Sequence, residues 1–278
     1  MEITEKQLRQ FTAHLRSGER SPGTVEKYRR DIRAFAAWLD GRELTGETAA
    51  KWREHLLKTG YAPVTVNSML SAVNGFFKFM GREDCKIRFL RVQRKIFREQ
   101  SKNLTKAEYQ RLLDTAQALG QERLGLLMET ICSTGIRVSE VRYISVAAAQ
   151  RGEAEISLKG KIRTILLPAK LCRKLLKYAK KQKIVSGEIF LTRSGKSLSR
   201  RQIWREMKAL CKKAGVEESK VFPHNLRHLF AVSFYKACKD IVKLADILGH
   251  SSINTTRIYL VTTGAEHARQ LEKLGLVT

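Results

Sequence analysis

A chain of 278 residues with 43% hydrophobic content has enough apolar material for real cores, and its length suggests two domains, which argues against wholesale disorder. Against 27 Asp+Glu stand 53 Lys+Arg, a net charge of +26. So large an excess points to a polyanion, most simply nucleic acid, rather than to a surface charged only for solubility. Residues 101–278 hold 33 basic and 15 acidic residues and residues 1–100 hold 20 and 12, so both parts are basic and the second more so. The opening MEITEKQLRQ has no apolar h-region and no cleavage-site pattern. No apolar run approaches the roughly 18 residues of a membrane span. Cys85, Cys132, Cys172, Cys211 and Cys238 are scattered and form no C-x-x-C pair. They read as reduced thiols of a cytoplasmic protein, not as disulfides or metal ligands.

In chain order, residues 1–83 read as four helices. Thr4 can cap the first, through about Arg16, and Ser21-Pro22 opens the second, where Val25, Tyr28, Ile32, Phe35, Ala36 and Leu39 keep helical spacing. The third covers about 47–58 and ends at Gly60; the fourth runs from about Val64 to Met80 and stops at Gly81. Short Gly- and Pro-marked turns between them predict a compact bundle. Lys27, Arg29, Arg30, Arg33, Lys51 and Arg53 lie on its polar faces. The charge-dense KIRFLRVQRKIFREQSK (86–102) reads as an interdomain linker lying along nucleic acid, with a short amphipathic helix as the other reading.

A capping box, Thr105 with Glu108, starts the next helix. Residues 124–132 predict a buried helix that breaks at Ser133-Thr134-Gly135, after which a helix resumes over 136–140. Arg137 thus sits between two helices, near unpaired backbone donors that favour an anion. An arginine among apolar neighbours needs a partner, and Glu140, one turn on, can orient it. A purely structural Arg–Glu pair is the equal alternative. Glu153–Leu158 and Ile162–Pro168 alternate around Lys159-Gly160-Lys161 and predict a β-hairpin. A basic helix over 171–183 follows, then a short strand at 189–191. Ser199 then caps a helix carrying Arg200, Arg201, Arg205 and Lys208, a pattern suited to phosphate contacts.

From Phe222-Pro223 a helix places His224 and Arg227 three residues apart on one face, with His228 next round. Ile241–Leu248 predicts another helix, stopped by Gly249; His250 follows, Ser251-Ser252 can cap a last helix, and Tyr259 falls about two turns into it. A phenol, with an ordinary pKa of about 10, is a poor nucleophile unless its electrophile is activated and its proton has an acceptor. A lone His is more often structural and a lone Tyr more often core or surface, so only their conjunction carries weight.

That conjunction is specific. TGIRVSE (134–140), LKGK (158–161), HNLRH (224–228) and LGHSSINTTRIY (248–259) resemble, in order, the active-site boxes of the tyrosine recombinase (phage integrase) family. The 26-residue step from His224 to His250 and the nine-residue step to Tyr259 match its pattern, and box wording and size are nearest the Xer branch and simple integrases. The resemblance spans the chain. It implies a mainly α fold with a small β-hairpin: residues 1–86 as a SAM-like, four-helix core-binding domain, 87–103 as a basic linker, and 104–278 as a mixed α/β catalytic domain ending in a tail helix at about 264–278.

By the same resemblance the chain would be a cytoplasmic site-specific recombinase, acting in integration, excision, resolution or inversion. Tyr259 would attack a DNA phosphodiester to give a 3′-phosphotyrosyl link and a free 5′-hydroxyl, with no cofactor, ATP or metal. Arg137 and Arg227 would grip the non-bridging oxygens, and His250 would donate a further hydrogen bond. His224 would assist proton removal from Tyr259, Lys159 would protonate the leaving oxygen, and Glu140 would hold Arg137. Lys159 occupies the lysine-glycine position, but Lys161 flanks the same glycine, and the spacing to Pro168 is one residue longer than the family's, so Lys161 stays the alternative acid. Lys27, Arg30, Arg33, Lys51, Arg53, Lys161, Arg200, Arg201 and Arg205 are the candidate contacts to double-stranded DNA. The tail, with Ala265, Ala268, Leu271 and Leu274 at helical spacing, would dock on a neighbouring copy in a tetramer on two sites, or fold back on its own domain. A related recombinase or accessory protein could share that assembly.

A type IB topoisomerase and a catalytically silent DNA-binding protein are the competing readings. A metal-dependent nuclease using His224, His228 and His250 lacks an acidic cluster, Asp246 alone being thin. No arm-binding domain is expected ahead of the first helix, which argues against the lambda-type plan.

Overall fold

A computed structural model describes residues 3–92, 102–158, 161–260 and 272–273, and the chain divides into two units, Met1–Arg94 and Lys95–Thr278. The first unit is built from α1 (Glu5–Ser17), α2 (Pro22–Leu39), α3 (Gly46–Lys58) and α4 (Pro63–Phe79), with a 3-10 turn at Glu83–Cys85. Each start has a local cause. Thr4 and Gln7 form a reciprocal capping box, Ser21 accepts the Thr24 amide ahead of Pro22, Thr45 accepts that of Thr48, and Pro63 opens α4 with its preset φ. The apolar stripes meet in a core around Ile32, Phe35, Leu56, Leu70, Phe76 and Phe77, where Phe35 packs edge-on against Phe77 at 5.6 Å.

The structure moves the start of the expected linker. Ile87 is buried in the first unit's core, and two α4 side chains hold the strand-like run after it. Asn74 bonds both the Ile87 amide and carbonyl (2.9 and 2.8 Å), and Asn67 does the same for Leu90 (2.8 and 2.9 Å). Residues 87–90 therefore close the bundle instead of running free along a partner; residues 93–101 fall outside the described residues.

The second unit contains α5 (Lys106–Ala118), α6 (Glu122–Thr134), a 3-10 turn (Val138–Tyr143), α7 (Val146–Arg151), β1 (Glu153–Leu158), β2 (Lys161–Leu166) and α8 (Ala169–Lys181). After these come α9 (Arg200–Ala214), α10 (Pro223–Cys238), α11 (Ile241–Leu248), α12 (Ile253–Arg257) and a 3-10 turn at Ile258–Leu260. The strands pair antiparallel, from Glu153 opposite Leu166 to Leu158 opposite Lys161. Period-two alternation turns Ala154, Ile156 and Ile165 into the core, while Ile162 and Leu166 face out. Arg163, directly opposite Ile156, shares the inward face.

Three expectations change. Residues 189–191 form no strand: Ser145 pairs with Glu188 and Leu191 with Ser197 as single bridges, and burial of Ile189 and Phe190 accounts for the apolar run. What resumes after Gly135 is a 3-10 turn over Val138–Tyr143 rather than a helix from residue 136. Tyr259 stands in the 3-10 turn that follows the five-residue α12, not two turns into a helix. The tail expected at 264–278 lies, apart from residues 272–273, outside the described residues. No helix among the described residues is long and apolar enough to cross a membrane.

Candidate active site

Three arginines converge on the last carbonyls of α11. This helix begins at Asp240, whose carboxylate accepts the Val242 and Lys243 amides (2.9 Å each), and it stops at Gly249 with φ +62°. The glycine turn returns the Gly249 and His250 amides to Asp246 and Ala245 (2.9 and 3.0 Å). A helix end leaves further carbonyls unpaired and carries partial negative charge. Here Ile247 accepts from Arg163 Nη1 (3.0 Å), Leu248 from Arg227 Nη2 (2.8 Å) and Gly249 from Arg137 Nη2 (3.5 Å).

Each arginine arrives for a local reason. Arg227 rises from the second turn of α10, and Asn225 fixes that helix start by donating to the Lys220 and Lys102 carbonyls (2.7 and 2.9 Å). The Arg227 Nη1 also bonds the Gly135 carbonyl. Gly135 ends α6 at φ +66°, where a Cβ would come within 2.5 Å of the Phe230 ring, so only glycine lets this carbonyl approach. Arg137, two residues on, donates to Glu140 Oε1 (3.0 Å), and its amide donates to Oε2 (2.7 Å). Arg163 donates to the same Oε2 at 2.5 Å.

The result is one carboxylate shared by two guanidiniums, with a third beside them. The Glu140 side chain is 3% exposed. Burial pushes its carboxyl up, but the Arg137 amide, the Arg163 charge and the Arg137 guanidinium outweigh that and hold it below the ordinary value. Arg227, 2% exposed, is shifted down by burial and then by the Arg137 charge. Three guanidiniums against one carboxylate leave a positive excess, which suits an anion entering beside Arg137, whose side chain is 41% exposed.

His250 and Tyr259 complete the cluster. Arg227 Nη2 lies 2.9 Å from His250 Nε2, and a guanidinium can only donate, so Nε2 accepts. His250 Nδ1 therefore carries the proton and donates to Thr256 Oγ1 at 2.8 Å. Burial and the surrounding charges of Arg227, Arg137, Arg163 and His224 depress the imidazole pKa to about 4, so it is neutral at pH 7. The Tyr259 ring is buried, stacked on His250 (5.8 Å, 6°) and in contact with the rings of His224 (5.8 Å) and His228 (5.4 Å). The Tyr259 phenol lies near enough to the Arg227 guanidinium to offset part of the downward shift that burial imposes on it.

The structure thus brings together Arg137, Glu140, His224, Arg227, His250 and Tyr259. Lys159, and the side chain of Lys161, lie outside the described residues. The candidate DNA contacts separate into two groups. In the first unit each is engaged internally: Lys27 and Arg30 with Asp31 (2.5 and 3.2 Å), Arg33 with Glu5 (2.9 Å), Lys51 with Glu47 (2.8 Å), and Arg53 with the Arg88 carbonyl (3.2 Å). On α9, Arg200, Arg201 and Arg205 are exposed and have no ion-pair partner among the described residues. No group of three or more His, Cys, Asp or Glu able to hold a metal occurs among the described residues.

Sequence reasoning missed Arg163 and Thr256. Alternation on β2 carried the signal for Arg163, since Ile165 and Leu167 put residue 163 on the inward face. Ile162 and Leu166 made the opposite phase equally apolar and hid it. Thr256, fully buried yet polar, gives no local sign of its partner.

Two family models match the chain: the phage integrase family over residues 102–265 and the phage integrase N-terminal SAM-like domain over residues 8–84. These matches make it a DNA strand-transfer enzyme of the tyrosine type, mainly helical with one small antiparallel sheet. The chain belongs to the phage integrase family. Tyrosine recombinase XerA of Thermococcus kodakarensis is 29% identical over 273 residues, covering 96% of this chain and 94% of that protein. Among solved structures, XerH site-specific recombinase bound to palindromic difH substrate in a post-cleavage complex superposes with TM-score 0.74 at 18% identity, covering 99% of this chain and 84% of that one. A lambda integrase dimer bound to a COC′ core site superposes with TM-score 0.72 at 18% identity, covering 92% and 94%.

Proposed function

We propose that this chain is a site-specific DNA recombinase that breaks and rejoins strands through a phosphotyrosyl intermediate. The observation that carries the reading is the stacking of the buried Tyr259 ring on His250, whose Nε2 accepts from Arg227, with Arg137 held at the same helix end. Attack by the Tyr259 oxygen on phosphorus forms the P–O bond to tyrosine and breaks the bond to the 5′-oxygen. The phosphodiester energy is kept in the covalent link, so rejoining by a 5′-hydroxyl needs no outside energy source. Arg137 and Arg227 supply fixed donors to the charge that develops on the non-bridging oxygens, a contribution of about 10²–10³ in rate for one such donor.

His224, in ring contact with Tyr259, assists removal of the phenol proton, and Lys159 or Lys161 at the hairpin tip protonates the leaving oxygen. His250 needs one rearrangement. Its Nε2 now accepts from Arg227, so donation to phosphate requires Arg227 to turn onto that phosphate and a proton to reach Nε2. A bound phosphate favours both changes by its charge. The substrate is double-stranded DNA, and the working assembly is a tetramer on two sites coupled through the tail at about 264–278.

A nicked suicide substrate tests the reading in EDTA. Wild type should accumulate covalent protein–DNA adduct, while Tyr259→Phe binds the same DNA without forming any. Wild type that binds DNA and traps no adduct refutes the chemistry. Relaxation on DNA with one site, without strand exchange between two, would reassign it to a topoisomerase.

A further inference from the structure

Helix α9 turns a tryptophan to solvent in the middle of its cationic face. Ile203, Met207, Leu210, Cys211 and Ala214 pack into the core, and the helix's one acidic residue, Glu206, is engaged by Arg123 at 2.7 Å. Trp204 is 48% exposed. At about 100° per residue it falls between Arg200 on one side and Arg201 and Arg205 on the other. Those three arginines are exposed and have no ion-pair partner among the described residues. The Lys208 ammonium stands 5.5 Å from the indole centroid and donates to the Glu218 carbonyl, so a tethered cation steadies the ring. A single exposed apolar side chain is ordinary on a protein surface. An indole flanked on both sides by unpaired guanidiniums is a different arrangement, because the cations bring a polyanion onto it.

We propose that Trp204 is a specificity-determining residue that reads thymine through its C5-methyl group in the DNA major groove. The inference deepens the recombinase reading above and rests on it for the identity of the duplex. An α-helix with its side chains, about 10–12 Å across, fills a major groove about 12 Å wide. Cations on both flanks of the helix then reach the phosphates of the two walls, and the residue between them faces the base edges on the floor. The apolar group presented there is the thymine methyl, and an indole covering it removes apolar surface from water on both partners. The arginines supply an attraction that is blind to sequence and falls with salt. Trp204 supplies what they lack, a contact that depends on the base and not on charge.

The probe is a duplex enriched from a random-sequence pool by the full-length wild-type protein. The enriched set should carry thymine at a fixed position, and a set enriched by Trp204→Ala should lose that preference while keeping the rest of the pattern. Replacing this thymine by uracil removes only the methyl. It should weaken wild type about 3- to 5-fold and leave Trp204→Ala unaffected. On the thymine duplex Trp204→Ala should bind about ten-fold more weakly than wild type. Its slope of log affinity against log salt should stay unchanged, whereas Arg201→Ala lowers that slope by about 1. Alanine suits a half-exposed helix position, and Trp204→Gln takes its place if the melting curve shows it unfolded. No loss of affinity in the variant, or an equal response of wild type and variant to uracil, overturns the inference, the latter by placing the indole on the sugar–phosphate backbone. Covalent adduct from wild type on a nicked copy of the enriched duplex upholds the recombinase reading whatever Trp204 does. Absence of adduct with the thymine dependence intact removes the strand-cleavage chemistry alone.

Discussion

Replacing Glu140 by Gln removes one charge and keeps the shape. The carboxylate accepts three hydrogen bonds, from the Arg137 amide, Arg137 Nη1 and Arg163 Nη2, while nearly excluded from water. A carboxamide offers one oxygen and turns an N–H toward a guanidinium that is itself only a donor. Breaking a buried pair in this way costs about 3–5 kcal/mol. For a unit of roughly this size that corresponds to a fall in melting temperature of about 6–20 °C, at about 2–4 °C per kcal/mol. The pH dependence adds a sharper test. Glu140 is held below its ordinary value of 4.5, so its contribution is fully present above about pH 4.5 and is lost as pH falls through the lowered value. Urea unfolding of wild type and Glu140→Gln should therefore differ by a constant amount near neutrality and converge in acid. A difference below about 1 kcal/mol at pH 7, the range of a solvated surface pair, would refute the buried-carboxylate argument.

His250 titrates in a separate window: with its folded pKa near 4 against an ordinary 6.5, it costs the protein stability progressively as pH drops from about 6.5 to 4. Nitrogen NMR should report the Nδ1–H tautomer in free protein and an upward-shifted pKa once DNA binds, and Thr256→Val, which leaves the Arg227 donation to Nε2 in place, should keep that tautomer. Gly135→Ala combines a left-handed backbone with a Cβ driven into Phe230, so about 2–5 kcal/mol of destabilisation is expected from denaturant melts. On α9, alanine at Arg200, Arg201 or Arg205 should weaken DNA binding and lower the slope of log affinity against log salt by about 1 for each phosphate no longer neutralised. The same change at Arg33 or Lys51, already paired within the first unit, should lower it less.

Much of this protein was readable in one dimension because the signals are local. Helix starts at Thr4, Ser21, Thr105 and Ser199 depend on a side chain reaching an amide three residues away, and the stop at Gly249 on a single positive φ. The boxes around Arg137, His224, Arg227, His250 and Tyr259 were legible for the same reason, each being a short run with its own wording. What required the folded chain was every relation between distant segments. Asn67 and Asn74 draw residues 87–90 into the first bundle across 13 to 23 positions of sequence, which charge density alone had assigned to a linker. Arg163 became a partner of Glu140 only once the hairpin chose which of two apolar phases to bury. The gathering of three guanidiniums on successive carbonyls of Ile247, Leu248 and Gly249 has no trace in composition or spacing. An unpaired helix end is a property of backbone geometry, and which side chains satisfy it is decided by tertiary packing.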